Sequence, residues 1–418
     1  MDFPKMIRIR QKFEAPVLQN IPQEIASQVT KMELEKRIRR GQTVAVACSS
    51  RGIANYSSIV AATVGYLQQI GLKPYIIPAM GSHGSATAEG QKRVLEHYGI
   101  SEKRIGVPIF SSLKVVQIGE TEDHIPVFLD KLATEADYIV PINRVRSHTD
   151  FEYDIESGLM KLMVIGLGKR KGAATYHQAF LTYGYPQIII TVARNILQTG
   201  RILFGVGIIE NSYGQTAKIG VFSPEELEER EKDFLKKAKG LEPRLPFENI
   251  DVLIIDEIGK DISGTGFDTK VVGRIYMPLL AKEPEVPRVK RIIVRDLTQN
   301  AEGNALGVGL ADFVTQRLVD KINIDAMYIN AITGASPEHA KIPLTLKNDR
   351  EAINVAIRSV GLICSEQLRI IRIKSTKVLS ELDISKGYEK ELSKRNDLEI
   401  IGEGKRMVFD QEGNLEPF

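Results

Sequence analysis

Three of the six histidines in this 418-residue chain stand where imidazole chemistry could act. His83 lies in Gly81-Ser82-His83-Gly84, directly after an apolar run, and His148 lies in Arg146-Ser147-His148 after a second such run. His177 closes the segment SGLMKLMVIGLGKRKGAATYH, which also holds Lys161. An unperturbed imidazole titrates near a pKa of about 6.5, so it can take or give a proton at neutrality, and its neutral form ligates metals. The glycines beside His83 would let backbone approach a ligand closely. Taken singly, His83 also reads as an ordinary turn histidine. The remaining three, His97, His124 and His339, have no comparable surroundings.

Other polar groups gather near them. Ser49-Ser50-Arg51-Gly52 offers hydroxyls, backbone N–H groups and a guanidinium between a strand and a helix, which suits a phosphate or carboxylate. The bland alternative is a helix-capping loop with a surface arginine. The Lys169-Arg170-Lys171 run reads as a solvated face. His148 and His177 are not at the short helical offsets of zinc motifs, and no carboxylate accompanies either at fixed spacing, which disfavours a zinc hydrolase.

Strands and helices must position these residues, and they alternate. Residues 43–48 read as a strand, 55–70 as a helix, 74–78 as a strand and 88–98 as a helix. Strand 137–142, helix 188–197 and strand 202–210 follow. Ser223-Pro224-Glu225-Glu226 combines an N-cap, a first-turn proline and a capping-box glutamate, and opens a helix to about residue 239. Strand 251–255 leads into the loop 260–274, and three prolines within 278–287 suggest a linker. The alternation then resumes with strand 291–294, helix 309–321, strand 327–332, helix 349–360 and strand 370–374. The polar last turn of the chain is expected to be poorly ordered.

This pattern predicts an α/β protein of two α/β domains with mostly parallel sheets and an active-site crevice between them. Residues 1–277 would carry the cofactor-binding and catalytic residues, and 278–418 would form the second domain. Open α/β sheets bind ligands beyond the carboxyl ends of their strands, where Ser50, Arg51, His83, Arg146, His148 and the loop 260–274 all fall.

Bulk properties exclude several classes. Basic and acidic residues number 56 and 53, a net charge of +3 that gives no nucleic-acid footprint. Cys48 and Cys364 alone build no disulfide framework, which suits a reducing cytoplasm. The start MDFPKMIRIRQKFEAP lacks the apolar centre of a secretory signal, and no run is long enough to span a bilayer. A cytoplasmic location without membrane contact is expected.

The segment SGLMKLMVIGLGKRKGAATYH resembles the nickel-dependent lactate racemases that use the nickel-pincer nucleotide. Lys161 and His177 stand 16 positions apart, the family's spacing between its cofactor-tethering lysine and its nickel-binding histidine, and Ser157-Gly158 precedes that lysine. GSHG and RSHTDF resemble the family's two catalytic-histidine segments, so the resemblance gives His83 and His148 those roles. VACSSRG resembles its anion-holding loop, which implies that Ser50 and Arg51 grip cofactor phosphate or substrate carboxylate. Motif support extends over roughly the first 275 residues.

Departures from the family pattern bear on the substrate. Gly84 follows His83 where characterised lactate racemases carry arginine, and three extra residues separate His148 from Lys161. SGTGFDTKVVGR replaces their Gly-Gly-Tyr-Pro stretch. A longer 2-hydroxy acid or an aldonate is therefore expected in place of lactate, with Arg51, Arg146, Lys270 and Arg274 as its candidate partners. The resemblance implies C2 inversion by hydride transfer, with the nucleotide tethered to Lys161, nickel on His177, and cofactor-synthesis enzymes as suppliers. The oligomeric state is left open. Two other readings compete: an anion- or nucleotide-binding protein without catalysis, and a sugar-acid lyase or isomerase using another metal.

Overall fold

The computed structural model describes residues 3–50, 52–278 and 281–418. The chain divides into two compact units. One comprises residues 14–148 and 152–242; the other comprises 1–13, 149–151 and 243–418.

The first unit is built on a five-stranded sheet of β1 (Thr43–Cys48), β2 (Lys73–Pro78), β3 (Tyr138–Arg144), β4 (Gly205–Glu210) and β5 (Thr216–Phe222), in the order β2-β1-β3-β4-β5. β2, β1, β3 and β4 run parallel, and β5 closes the edge antiparallel to β4. Their near-continuous apolar runs, such as Val44–Cys48, are buried because helices cover a parallel sheet on both faces. The chain passes from β1 to β2 on one side and later to β3 on the other, so strand order reverses between β1 and β3. That reversal opens a crevice at the strands' carboxyl ends.

Six helical segments of this unit matter for the site. These are α1 (Tyr56–Gln69), α2 (Ala88–His97), α3 (Leu159–Lys161), α4 (Lys169–Tyr183), α5 (Tyr185–Gln198) and α6 (Leu227–Leu241). Between α3 and α4 the chain makes one turn of π-helix, Leu162–Gly166. α5 starts with Pro186 in its first turn and buries Ile188, Ile189, Val192, Ala193 and Ile196 on one stripe. α6 begins at Leu227, three residues later than the serine-proline signal implies. Ser223 instead opens a turn, its carbonyl accepting from the Glu226 N–H at 3.2 Å.

The second unit holds a nine-stranded mixed sheet. β6 (Asn249–Ile258) lies between β7 (Arg288–Leu297) and β8 (Ile370–Ile373), all parallel, and Phe313–Thr315 and Leu344–Leu346 extend the parallel half beyond β7. On the other side come β9 (Glu381–Ser385), the N-terminal strand Lys5–Gln11 and Leu398–Ile400, all antiparallel. Alternate residues of β6 serve the two faces: Leu253 and Ile255 join one core, Val252 and Ile254 the other.

Several expectations are corrected here. The prolines Pro278, Pro284 and Pro287 fall between β6 and β7, neighbouring strands of one sheet, so they mark no domain boundary. The division expected at 277/278 falls at 242/243, and the N-terminal strand belongs to the C-terminal unit. The helix expected at 309–321 is a short strand, Phe313–Thr315, flanked by single helical turns. Its apolar residues mimic helical spacing but are buried by sheet neighbours. The strand expected at 327–332 lies within a helix, Ile324–Thr333: Asn323 caps it by accepting from the Ala326 N–H, and only Met327 and Ala331, one turn apart, are buried. The chain's last turn is docked, with Leu415 buried and the carbonyls of Leu415 and Glu416 accepting from Arg295 and Arg372 at 2.6 Å each. Among the described residues no helix is long and apolar enough to cross a membrane.

Candidate active site

The loop after β1 is anchored from below. The Ser49 N–H donates to the Tyr56 hydroxyl at 2.6 Å, and that hydroxyl donates to the Ile142 carbonyl of β3 at 3.2 Å, so α1 fixes the ends of two strands together. Ser50 then meets His83, its hydroxyl hydrogen-bonded to Nδ1. The anion-gripping role expected of Arg51 lies outside the described residues.

His83 is exposed, at the end of β2. Its flanking glycines pack closely within the protein. Gly81, at φ +57, donates its N–H to the Gly166 carbonyl at 3.2 Å, and a Cβ there would lie 3.2 Å from the Ile165 carbonyl and 3.6 Å from Ala173 Cβ. Gly84, at φ +65, would press a Cβ to 2.7 Å from the backbone of α2. The His83 loop is thereby clamped between α2 and the turn that precedes His177.

Lys161 ends α3, whose start is held by a buried carboxylate. Glu231, fully buried on α6, accepts the N–H groups of Leu159 at 2.8 Å and Met160 at 3.0 Å, while the Gly158 carbonyl accepts from Asn143 Nδ2 at 2.8 Å. Burial pushes the Glu231 carboxyl up to about 7 against the pull of those two N–H groups. The π turn between α3 and α4 is a distortion of the kind that often marks functional sites.

His177, two turns into α4, has Nδ1 2.6 Å from the Ala173 carbonyl. A carbonyl can only accept, so Nδ1 carries the proton and Nε2 holds the lone pair a metal would use. The His177 ring lies 5.4 Å from Phe180, and Phe180 lies 4.7 Å from Tyr185. Tyr185 is the hub: its ring is 5.3 Å from His148, and Lys161 Nζ stands over it at 5.8 Å. Its hydroxyl donates to the Glu156 carbonyl at 3.1 Å.

Glu156 also fixes the His148 loop. Its buried carboxylate accepts the N–H of His148 and, at 3.1 Å, that of Tyr153, and it pairs with Lys239 at 2.6 Å. Burial raises its pKa, opposed first by Lys239. Arg146 exchanges backbone hydrogen bonds with Ser157, its N–H donating at 2.8 Å. The neighbouring Arg144 pairs with Glu210, so that carboxylate is already engaged.

Lys161, His148 and His177 thus gather around the Tyr185–Phe180 pair, while Gly81 of the His83 loop packs on Ile165 and Ala173. Lys270 and Arg274 belong to the other unit. The Arg274 guanidinium is committed there to Asp312 at 2.9 Å and to the Leu310 carbonyl at 2.8 Å. Sequence reading missed Tyr185, Phe180, Glu156 and Glu231. One signal for Glu231 was present, a carboxylate inside the apolar stripe Leu227, Phe234, Leu235 and Ala238. Another was Tyr185 between glycine and proline at a helix start.

Among the described residues no three histidine, cysteine, aspartate or glutamate side chains gather as a metal cluster. A metal here would take His177 Nε2 and draw its other ligands from a cofactor. An amine beside an aromatic face and one imidazole with its distal nitrogen as acceptor fit a lysine-tethered, nickel-bearing ring.

Residues 7–185 match the family model of the lactate racemase N-terminal domain, a stretch that contains Ser50, His83, His148, Lys161, His177 and Tyr185. No curated protein matches the chain. Two solved structures share its fold at 13% identity each. One, a structural-genomics crystal structure of a Thermotoga maritima protein, has a TM-score of 0.50 over 77% of this chain and 83% of its own. The other, the lactate racemase apoprotein from Thermoanaerobacterium thermosaccharolyticum, has a TM-score of 0.52 over 84% of this chain and 91% of its own.

Proposed function

From the premise that this chain is a divergent relative of the lactate racemases, carrying their N-terminal domain over residues 7–185, we propose that it is a racemase or epimerase inverting C2 of a 2-hydroxy acid. The observation that carries this reading is the gathering of Lys161, His148 and His177 on the Tyr185–Phe180 pair.

The hydrogen on C2 beside an ionised carboxylate is poorly acidic, since its loss as a proton would build a second negative charge. Removal as hydride avoids that charge. A nickel-pincer nucleotide, when bound, supplies a reversible hydride acceptor. Lys161 would tether it, and His177 would offer Nε2 to the nickel.

The chain's own residues handle the proton. His83 or His148 takes the hydroxyl proton as C2 is oxidised, and the other returns one to oxygen from the opposite side. Inversion requires an acid–base group for each face, and an imidazole can both take and give a proton near neutrality. Ser50 orients His83 through Nδ1, and the Glu156 carboxylate, holding the His148 N–H, sets the second imidazole against Tyr185. Arg51 and Arg146 are the proposed carboxylate partners, a longer hydroxy acid or an aldonate is the proposed substrate, and the enzymes that make the nucleotide are the proposed suppliers.

The test is intact mass after production alongside those enzymes. Wild type should gain a covalent adduct and nickel, Lys161→Ala should gain neither, and His83→Ala and His148→Ala should keep the adduct but lose inversion of a 2-hydroxy-acid panel. An adduct on Lys161→Ala would remove the tether. A wild type that takes up neither adduct nor nickel would favour an anion-binding protein.

A further inference from the structure

Three polar side chains with no part in the chemistry above are fully buried together: Gln91, Asp130 and Lys169. Lys169 belongs to the Lys169-Arg170-Lys171 run that reads in sequence as a solvated face, yet its side chain is 0% exposed. As the first residue of α4 it adopts φ +52, a left-handed backbone that lysine rarely takes, and this turns the side chain inward. Its amine donates to the Pro78 carbonyl at the end of β2, lies 2.8 Å from Asp130 and reaches Gln91 Oε1 at 3.4 Å.

Gln91 carries the connection to the site. Its amide N–H group donates to the carbonyls of Gly81 at 3.0 Å and His83 at 3.3 Å. A glutamine in the first turns of α2 thus holds both ends of the histidine's loop, and its other end is fixed by an ammonium on the helix that carries His177. Burial pushes the Lys169 amine down and the Asp130 carboxyl up, each against the attraction of the other. A buried ion pair seldom outperforms an apolar pair in stability, so its directional bonds are the property to explain.

We propose that Gln91 and Lys169 are positioning residues for His83, fixing its backbone relative to α4 so that its imidazole and that of His177 keep a set separation. The proposal rests on the proposed role of His83. The Gln91 amide aims its donor at the two carbonyls that bracket Ser82 and His83. The Gly81 and Gly84 contacts clamp the loop from outside, and the Gln91 amide holds it from within.

Gln91→Glu separates this role from packing. It keeps the size and strengthens the attraction to Lys169, but turns an acceptor toward the Gly81 and His83 carbonyls. Gln91→Leu removes both functions. In cofactor-free protein, the 15N ring signals of His83 should move in both variants while those of His177 stay, and both variants should melt earlier than wild type, having lost the bonds to the Gly81 and His83 carbonyls. In loaded protein both should lower kcat about tenfold or more, the scale expected of a displaced catalytic group, with KM and adduct mass near wild type. Unmoved His83 signals in Gln91→Glu, or a Gln91→Leu that only melts earlier, would overturn the proposal. Absence of turnover in wild type would count against the racemase reading alone, because the ring signals report positioning by themselves.

Discussion

Gly158 and Glu231 share one space: a Cβ at Gly158 would lie 2.2 Å from Glu231 Oε1. The missing side chain is what lets a carboxylate from α6 reach the first N–H groups of α3, those of Leu159 and Met160 just ahead of Lys161. Ser157-Gly158, noticed in the sequence only as part of a resemblance, has this physical reason.

Gly158→Ala should therefore expel the Glu231 carboxylate and orphan two buried N–H groups. The expected cost is about 2–4 kcal/mol, on the scale of buried polar groups left unpaired. Urea unfolding and amide exchange at Leu159 and Met160 measure it. Wild-type exchange at both amides would show that the carboxylate does not hold them.

The Glu231 carboxyl also makes stability depend on pH. Its pKa is raised from an ordinary 4.5 to about 7, so its contribution is fully present below about 4.5 and is lost as pH climbs through about 7. At about 1.4 kcal/mol per pKa unit the loss is roughly 3 kcal/mol. A glutamine at this position cannot ionise, so Glu231→Gln should gain on wild type between about pH 5 and about pH 8 in urea titrations. Parallel pH profiles for the two proteins would contradict the shift.

Tyr185 can be dissected by two substitutions. Tyr185→Phe keeps the ring faces and loses only the hydrogen bond to the Glu156 carbonyl, an expected cost of about 1 kcal/mol with the adduct on Lys161 retained. Tyr185→Leu removes the ring that His148, Phe180 and Lys161 share, and should cost about 3 kcal/mol and most of the turnover. Calorimetry and chiral chromatography read both. Equal activity in the two variants would deny the ring a role.

Ser50→Ala removes the hydroxyl partner of His83 Nδ1 and leaves the rest of the loop intact. Turnover should fall about tenfold with adduct mass and melting temperature unchanged, since only the orientation of one acid–base group is relaxed. Wild-type kcat in this variant would remove Ser50 from the site.

The parallel half of the first unit was legible because each of its strands is a short apolar run followed by polar residues, which is how a strand ending at a crevice must read. Ser50, His83 and His148 were singled out as candidates for the same reason. Tyr185 and Glu231 gave only faint signals: one is an aromatic residue at a helix start, the other a carboxylate whose partners are backbone groups 71 and 72 residues away. Lys169 was misread because composition cannot show a left-handed backbone that turns a lysine inward. The segments at 309–321 and 327–332 were exchanged because short apolar runs fit both periods, and only caps and sheet neighbours decide. The prolines between β6 and β7 look like a linker in one dimension and form a crossover in three.

The placement of Lys5–Gln11 inside the nine-stranded sheet sets an order of assembly. Arg8 on that strand and its partner Asp383 are 375 residues apart, so the strand finds this neighbour only after the intervening chain has been made. Residues 14–242 have their own core by then, and such distant pairings form slowly. A nascent chain halted before β9 would hold a folded first unit and a Lys5–Gln11 strand without its sheet partner, open to any passing edge.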